Sequence, residues 1–239
     1  MSLRLAAAGL VLAMGCDVGS TPTGLDPAVV EGPIDLVYAL QTDWDDVPLV
    51  SGARVWTTAL GYELELTRWD LLTTSVELVP CQSDEVAAWM WMAHASYTHD
   101  ASVVEPDLDE SLLAGAPVDL GRVQLGGGPY CSLFSVHRKG DTSAVSRLEG
   151  RFRRPGQAWT ALDASHPLVL TSLPDLPAAG APDLSSETRV VLTRYPARAL
   201  DAIDFEALSP LDVAYDASHG LLLASEVTLL FGAGRLFEG

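Results

Sequence analysis

Apolar and polar residues alternate along much of this chain with a period of two. Ile34, Leu36, Tyr38 and Leu40 interleave with Asp35, Val37, Ala39 and Gln41, and Tyr62, Leu64 and Leu66 with Glu63, Glu65 and Thr67. Leu72, Thr74, Val76 and Leu78 continue the theme, and Leu148, Gly150 and Phe152 oppose Arg147, Glu149, Arg151 and Arg153. Successive side chains of an extended segment point to opposite faces, so the alternation predicts strands with one face buried and one wet. Tyr130–His137, Leu168–Thr171 and Thr188–Tyr195 are further predicted strands, with Gly126-Gly127-Gly128-Pro129 as a turn into the first of them. Pro174, Pro177 and Pro182 make Leu173–Ser186 an extended connector. Pro196 opens a predicted short helix to Leu208, with Ala199, Ile203 and Leu208 apolar. The run Leu221–Phe231 fits a strand or a helix. Short strands at regular spacing point to an antiparallel sandwich or barrel.

The first residues break this pattern. Arg4 precedes the apolar run Leu5–Met14, which is too short to span a bilayer as a permanent helix. It ends Leu12-Ala13-Met14-Gly15-Cys16, which resembles a bacterial lipobox, with Ala13 where Leu is commonest. The resemblance implies a lipoprotein signal peptide over 1–15 and lipidation at Cys16, the new N-terminus. The expected product is held to a membrane of the bacterial cell envelope by acyl chains, on the periplasmic or cell-surface side. Residues 16–33 are rich in Gly, Pro, Ser and Thr and are expected to form a flexible tether. Residues 34–239 are then a single β-sandwich domain.

Charge narrows the partners. With 14 basic against 32 acidic side chains the formal charge is −18, and Lys139 is the only lysine. Nucleic-acid binding is driven by neutralising phosphates with Lys and Arg, so no nucleic acid is expected as a partner. A hydrophobic fraction of 48% and a mean hydropathy of +0.21 exclude a disordered chain.

Catalytic signatures are absent. The chain contains no G-x-S-x-G, H-E-x-x-H or C-x-x-C-H, and its three consecutive glycines open no Rossmann pattern. Asp43, Asp45 and Asp46 around Trp44 lack the spacing and terminal Glu of a calcium loop, so a solvated acidic loop is expected there. A reading of the chain as an enzyme using Asp and His residues of the stretch His94–Gly128 has no nucleophile to single out. No catalytic residue is assigned, and the chain is read as non-catalytic.

Two cysteines remain once Cys16 is lipidated. Cys81 and Cys131 are expected to form a structural disulfide outside the cytoplasm, with thiolate metal ligation as the alternative. A loop closed from 81 to 131 is worth about 4 kcal/mol on chain entropy. Within it, residues 85–100 read EVAAWMWMAHASYTHD. If extended, this segment puts Met90, Met92 and His94 on one face, and His99 lies five residues beyond His94. Thioether and imidazole together suit Cu(I), and imidazole also holds Cu(II) or zinc. The same residues are good core fillers, and Val86, Met90 and Ala93 also share a helix face. On the residues alone packing is the commoner outcome. His137, His166 and His219 receive no role from spacing.

Four stretches together resemble the MbnP-like, copper-associated lipoprotein family, one half of the metallo-mystery pairs. They are IDLVYALQTDWDDVPLVSGARVW, LELTRWDLLTTSVELVPC, LGGGPYCSLFSVHR and ARALDAIDFEAL, spread over residues 34 to 231. The resemblance implies an all-β, antiparallel immunoglobulin/transthyretin-like β-sandwich with one short C-terminal helix. It also implies extracytoplasmic copper binding and a di-haem peroxidase-like partner able to oxidise a tryptophan, for which Trp44, Trp69, Trp89 and Trp91 are the candidates. Ser51 stands where family members often carry a cysteine, and the opening strand Ile34–Gln41 has no histidine. The expected function is therefore a lipid-anchored metal-binding protein, copper preferred, with His94, Met92, Met90 and His99 as ligands. The alternative is a structural or interaction lipoprotein whose sandwich binds no metal.

Overall fold

Fourteen strands and two helices form among the residues described by the structure, a computed structural model covering 28–30, 34–80, 103–125, 128–138, 144–176 and 188–231. The strands are β1 (Ala28–Val30), β2 (Ile34–Thr42), β3 (Leu49–Val50), β4 (Ala53–Thr57), β5 (Glu63–Thr73), β6 (Ser75–Pro80) and β7 (Leu108–Ser111). They continue with β8 (Val118–Leu125), β9 (Gly128–His137), β10 (Ser146–Arg153), β11 (Thr160–His166), β12 (Leu170–Ser172), β13 (Thr188–Arg194) and β14 (Glu226–Phe231). The helices are α1 (Pro196–Asp201) and α2 (Pro210–Leu223).

Three sheets result. The first centres on β9, which pairs with β1, β6 and β12. The second has the order β14-β13-β2-β8, and the third β11-β10-β5-β4-β3 with β7 also on β5. The first and second face each other as a sandwich. Leu36, Tyr38, Leu40, Leu120, Val190 and Leu192 of one meet Val76, Leu78 and Leu133 of the other in a common core. The Tyr38 hydroxyl accepts a hydrogen bond from the Leu78 N–H across that gap at 3.1 Å.

The third sheet is covered by helices instead. Leu64, Leu66, Trp69, Leu148 and Leu162 pack against Leu200 of α1 and Val213, Ala217 and Leu221 of α2. Burying one such side chain fully is worth about 1.5–3 kcal/mol. β5 and β6 are separated only by Thr74, so one nearly continuous chain passes from the helix-covered sheet into the sandwich. Thr74 N–H donates to the Val136 carbonyl of β9 at 2.9 Å, which fixes the crossing. In the helix-covered sheet β10 shifts register against β5 between Glu149 and Gly150, and a Cβ on Gly150 would lie 2.2 Å from the Glu65 carbonyl oxygen. Only glycine lets the two strands approach this closely.

The all-β sandwich agrees with the sequence reading. Several details differ. Among the described residues every strand pair is antiparallel except β13 with β2, which run parallel. The single helix expected from Pro196 to Leu208 is α1 alone, and it stops at Asp201; the Asp204 carboxylate then accepts the Glu206 and Ala207 N–H groups in a turn. A second helix follows because Ser209 caps it, accepting from Asp212 N–H at 3.3 Å and donating to the Asp212 carboxylate at 2.6 Å, with Pro210 in the first turn. Leu221–Phe231 is neither all helix nor all strand; it divides at Ala224 between α2 and β14. Ala28–Val30, inside the stretch expected as tether, pairs with Gly128–Tyr130 as β1.

Candidate functional site

Met90, Met92, His94 and His99, together with Cys16, Cys81, Trp89 and Trp91, lie outside the described residues. Cys131 lies on an exposed position of β9 and is disulfide-bonded, with its partner outside the described residues. Trp44 and Trp69 are buried, at 4% and 0% exposure, and their indole N–H groups donate to the Leu112 carbonyl (2.8 Å) and the Ser146 hydroxyl (3.3 Å). Neither offers its ring to an approaching protein. The acidic loop closes on an arginine of its own chain, for Arg198 on α1 binds both Asp45 carboxylate oxygens at 2.7–3.1 Å. Among the described residues no group of three or more His, Cys, Asp or Glu side chains is placed to hold a metal ion.

The chemistry that the structure does assemble lies where the three sheets meet. On β9, Leu133, Ser135 and His137 share the inward face, so the strand's alternation places two polar side chains in the interior. Thr73 at the end of β5, Glu110 on β7, Ser172 on β12, Arg194 at the end of β13 and Ser225 before β14 converge on them. All are at least nine-tenths buried. His137 Nδ1 lies 2.9 Å from Thr73 Oγ1, whose hydroxyl donates to Glu110. Its Nε2 lies 3.0 Å from Ser135 Oγ, which is 2.6 Å from Ser172 Oγ. Arg194 reaches Glu110 at 3.6 Å, the Ser225 hydroxyl at 3.1 Å and His137 Nε2 at 3.4 Å.

Donor arithmetic orients this network. A guanidinium has donors only, so the His137 Nε2 facing Arg194 is an acceptor and the proton sits on Nδ1. Burial, and then the Arg194 charge, hold the His137 pKa well below the ordinary 6.5. A neutral imidazole with a cation against its lone pair is a poor proton acceptor, and its role here is to tie three sheets together. Burial pushes the Glu110 carboxyl up, opposed by Arg194, and pushes the Arg194 guanidinium down, opposed by Glu110. Glu110 Oε2 and Arg194 Nε have no hydrogen-bond partner among the described residues.

The pH dependence of stability follows with a definite sign. The unfolded chain protonates His137 near 6.5 and the folded one does not, so its contribution is complete above 6.5 and is lost as pH falls below it. His166, also lowered by burial, adds to the same trend. Glu110 has the opposite sign, since its raised pKa favours the folded state below 4.5 and that contribution is lost as pH climbs through the raised value. Urea unfolding between about pH 7 and pH 5 is expected to give a smaller loss of stability in His137→Gln than in the wild type. Equal losses in the two would remove His137 from this account.

Two walls of this cluster open onto a cleft of about 580 Å³. Ser172 and Ser225 form part of its lining, with Asp175 after β12, Glu226 and Val227 at the start of β14, and His219, Leu222 and Leu223 in the last turns of α2. His219 stacks on Tyr215 with ring centroids 5.7 Å apart, and Tyr215 in turn lies 5.0 Å from the buried His166 ring. Sequence spacing gave these histidines no role. The one signal for His137 was its place, with Ser135, on the apolar face of a predicted strand; a polar residue on a buried face needs a partner.

No family model and no curated protein matches the chain. Among solved structures it aligns with MbnP from Methylosinus trichosporium, at 12% identity over 71% of this chain and 77% of that one, with a TM-score of 0.27. No residue role is transferred through this alignment.

Proposed function

We propose that this chain is a non-catalytic, lipid-anchored protein of the bacterial cell envelope that binds metal, copper preferred, through Met90, Met92, His94 and His99. The observation that supports it is where the segment carrying these residues is attached. β6 ends at Pro80, and the next described stretch returns at Val104, whose backbone N–H and C=O pair with Val76 of the same strand at 2.9 and 3.0 Å. The described chain therefore stops at the end of this strand and resumes paired to the same strand at Val104. A chain segment fixed at both ends loses less entropy when a metal gathers its ligands. Pro80 is paired with Tyr130, the neighbour of disulfide-bonded Cys131, which supports Cys81 as its partner.

Thioether and neutral imidazole donors define the metal. Titration of the chain, purified without chelators, with Cu(I) is expected to show saturable binding that weakens in His94→Ala and falls as the histidines protonate. Equal copper stoichiometry in wild type and His94→Ala removes His94 from the site. Absence of bound copper or zinc on elemental analysis, together with no uptake on titration, favours a structural or interaction lipoprotein. Native mass spectrometry reads lipidation at Cys16 in the same sample.

A further inference from the structure

The cleft between β12, the end of α2 and the start of β14 has a floor whose hydrogen-bonding sense is fixed from behind. His137 Nε2 is an acceptor, so the Ser135 hydroxyl, 3.0 Å away, donates to it. With that proton committed to His137, Ser135 Oγ accepts from Ser172 at 2.6 Å, which turns the Ser172 proton inward in this tautomer. Ser225 is committed in the same way. Its hydroxyl donates to the Leu221 carbonyl at 2.7 Å, and its oxygen accepts from Arg194 at 3.1 Å. Both floor hydroxyls therefore turn lone pairs, and no proton, to the cleft.

The rim has the same sense. Asp175 is exposed, and among the described residues its carboxylate has a 3.4 Å contact from the Ser132 hydroxyl. Glu226 has its side chain 62% exposed and keeps free lone pairs beside its contacts with Tyr195 and Arg198. The fourteen-residue helix α2 ends here, at the negative pole of its dipole, with no Lys or Arg in its last turn. Exposed Thr171 and His219 are the lining side chains that can still donate. Leu222, Leu223 and Val227 supply apolar wall, Leu223 at 74% exposure. The volume falls in the range of sites that take a whole small molecule.

We propose that this cleft binds a small organic cation, an aliphatic primary ammonium whose donors meet Ser172, Ser225 and Asp175 while its stem lies on Leu222, Leu223 and Val227. An ammonium has three donors and no acceptor, the complement of an acceptor-only floor, whereas an anion would meet lone pairs on the floor and carboxylates on the rim, with Thr171 and His219 as its side-chain donors. The site shares no residue with the proposed metal ligands.

Calorimetric titration of the full chain with hexylamine tests this, with hexanol and hexanoate as controls. Hexylammonium is expected to bind in the millimolar range or tighter, about tenfold above hexanol, and hexanoate to give no heat of binding. Asp175→Asn is expected to weaken the amine about threefold or more at low salt, with no change for hexanol, and added salt to narrow the difference. Leu223→Ser, at a position too exposed to affect folding, is expected to weaken amine and alcohol alike. Hexanoate binding as tightly as hexylammonium overturns the proposal, as does an amine affinity unchanged by both substitutions or no amine binding at all.

Discussion

Arg194→Met is expected to lower the unfolding free energy by about 3–5 kcal/mol, because it strands the Glu110 carboxylate in the interior without its counter-charge. The guanidinium is fully buried and is the donor shared by Glu110, Ser225 and His137. A methionine fills the volume and isolates the electrostatic part of the loss. The double variant Arg194→Met/Glu110→Gln removes both charges and is expected to recover part of the stability, giving a positive coupling between the two sites. Urea denaturation of the four proteins closes the cycle. Independent losses that simply add would show that Arg194 and Glu110 do not depend on each other.

Trp69→Ala is expected to cost a comparable amount, about 3–5 kcal/mol, through the cavity it leaves. Trp69 has no exposed surface and stands on β5 among Leu66, Leu71, Leu148 and the residues of α2 in the helix-covered core. Its neighbours belong to three separate elements, which cannot all move inward to refill the space. Trp69→Phe keeps most of the packing but loses the bond to Ser146, and is expected to cost less than half as much. A loss below about 1 kcal/mol for the alanine variant would mean that the helices slide to close the gap, which cavity-forming substitutions rarely permit. The burial that makes Trp69 structural also removes it from the surface at which an external oxidant would meet an indole.

The strand predicted over Tyr62–Thr67 formed where it was expected because the signal for a half-buried strand is local. Leu64 and Leu66 alternate with Glu63 and Glu65 in the sequence, and the same residues alternate between core and solvent in β5. The start of α1 was legible at Pro196, since proline in the first turn is a local signal too. Its end was not. Residues 202–208 keep helical apolar spacing, and the chain leaves the helix because Asp204 turns its carboxylate onto the backbone ahead of it while Ser209 and Asp212 cap a new helix. That serine, proline and aspartate stand in the sequence as a capping signature and could have been read.

The parallel pairing of β13 with β2 and the meeting of Glu110, His137 and Arg194 have no local trace at all. Ser135 and His137 could be seen as polar residues on an apolar face, but nothing near them in the chain names their partners, which lie 37 to 64 positions away. The sequence by itself determined the period-two strands, the acidic composition and the residues at which helices can begin, because each depends on neighbours a few positions apart. The tertiary structure alone decided which buried polar groups pair and which way their protons point. A buried donor must find an acceptor wherever the fold brings one, and the direction of every hydroxyl from Arg194 to the cleft follows from a single guanidinium that cannot accept.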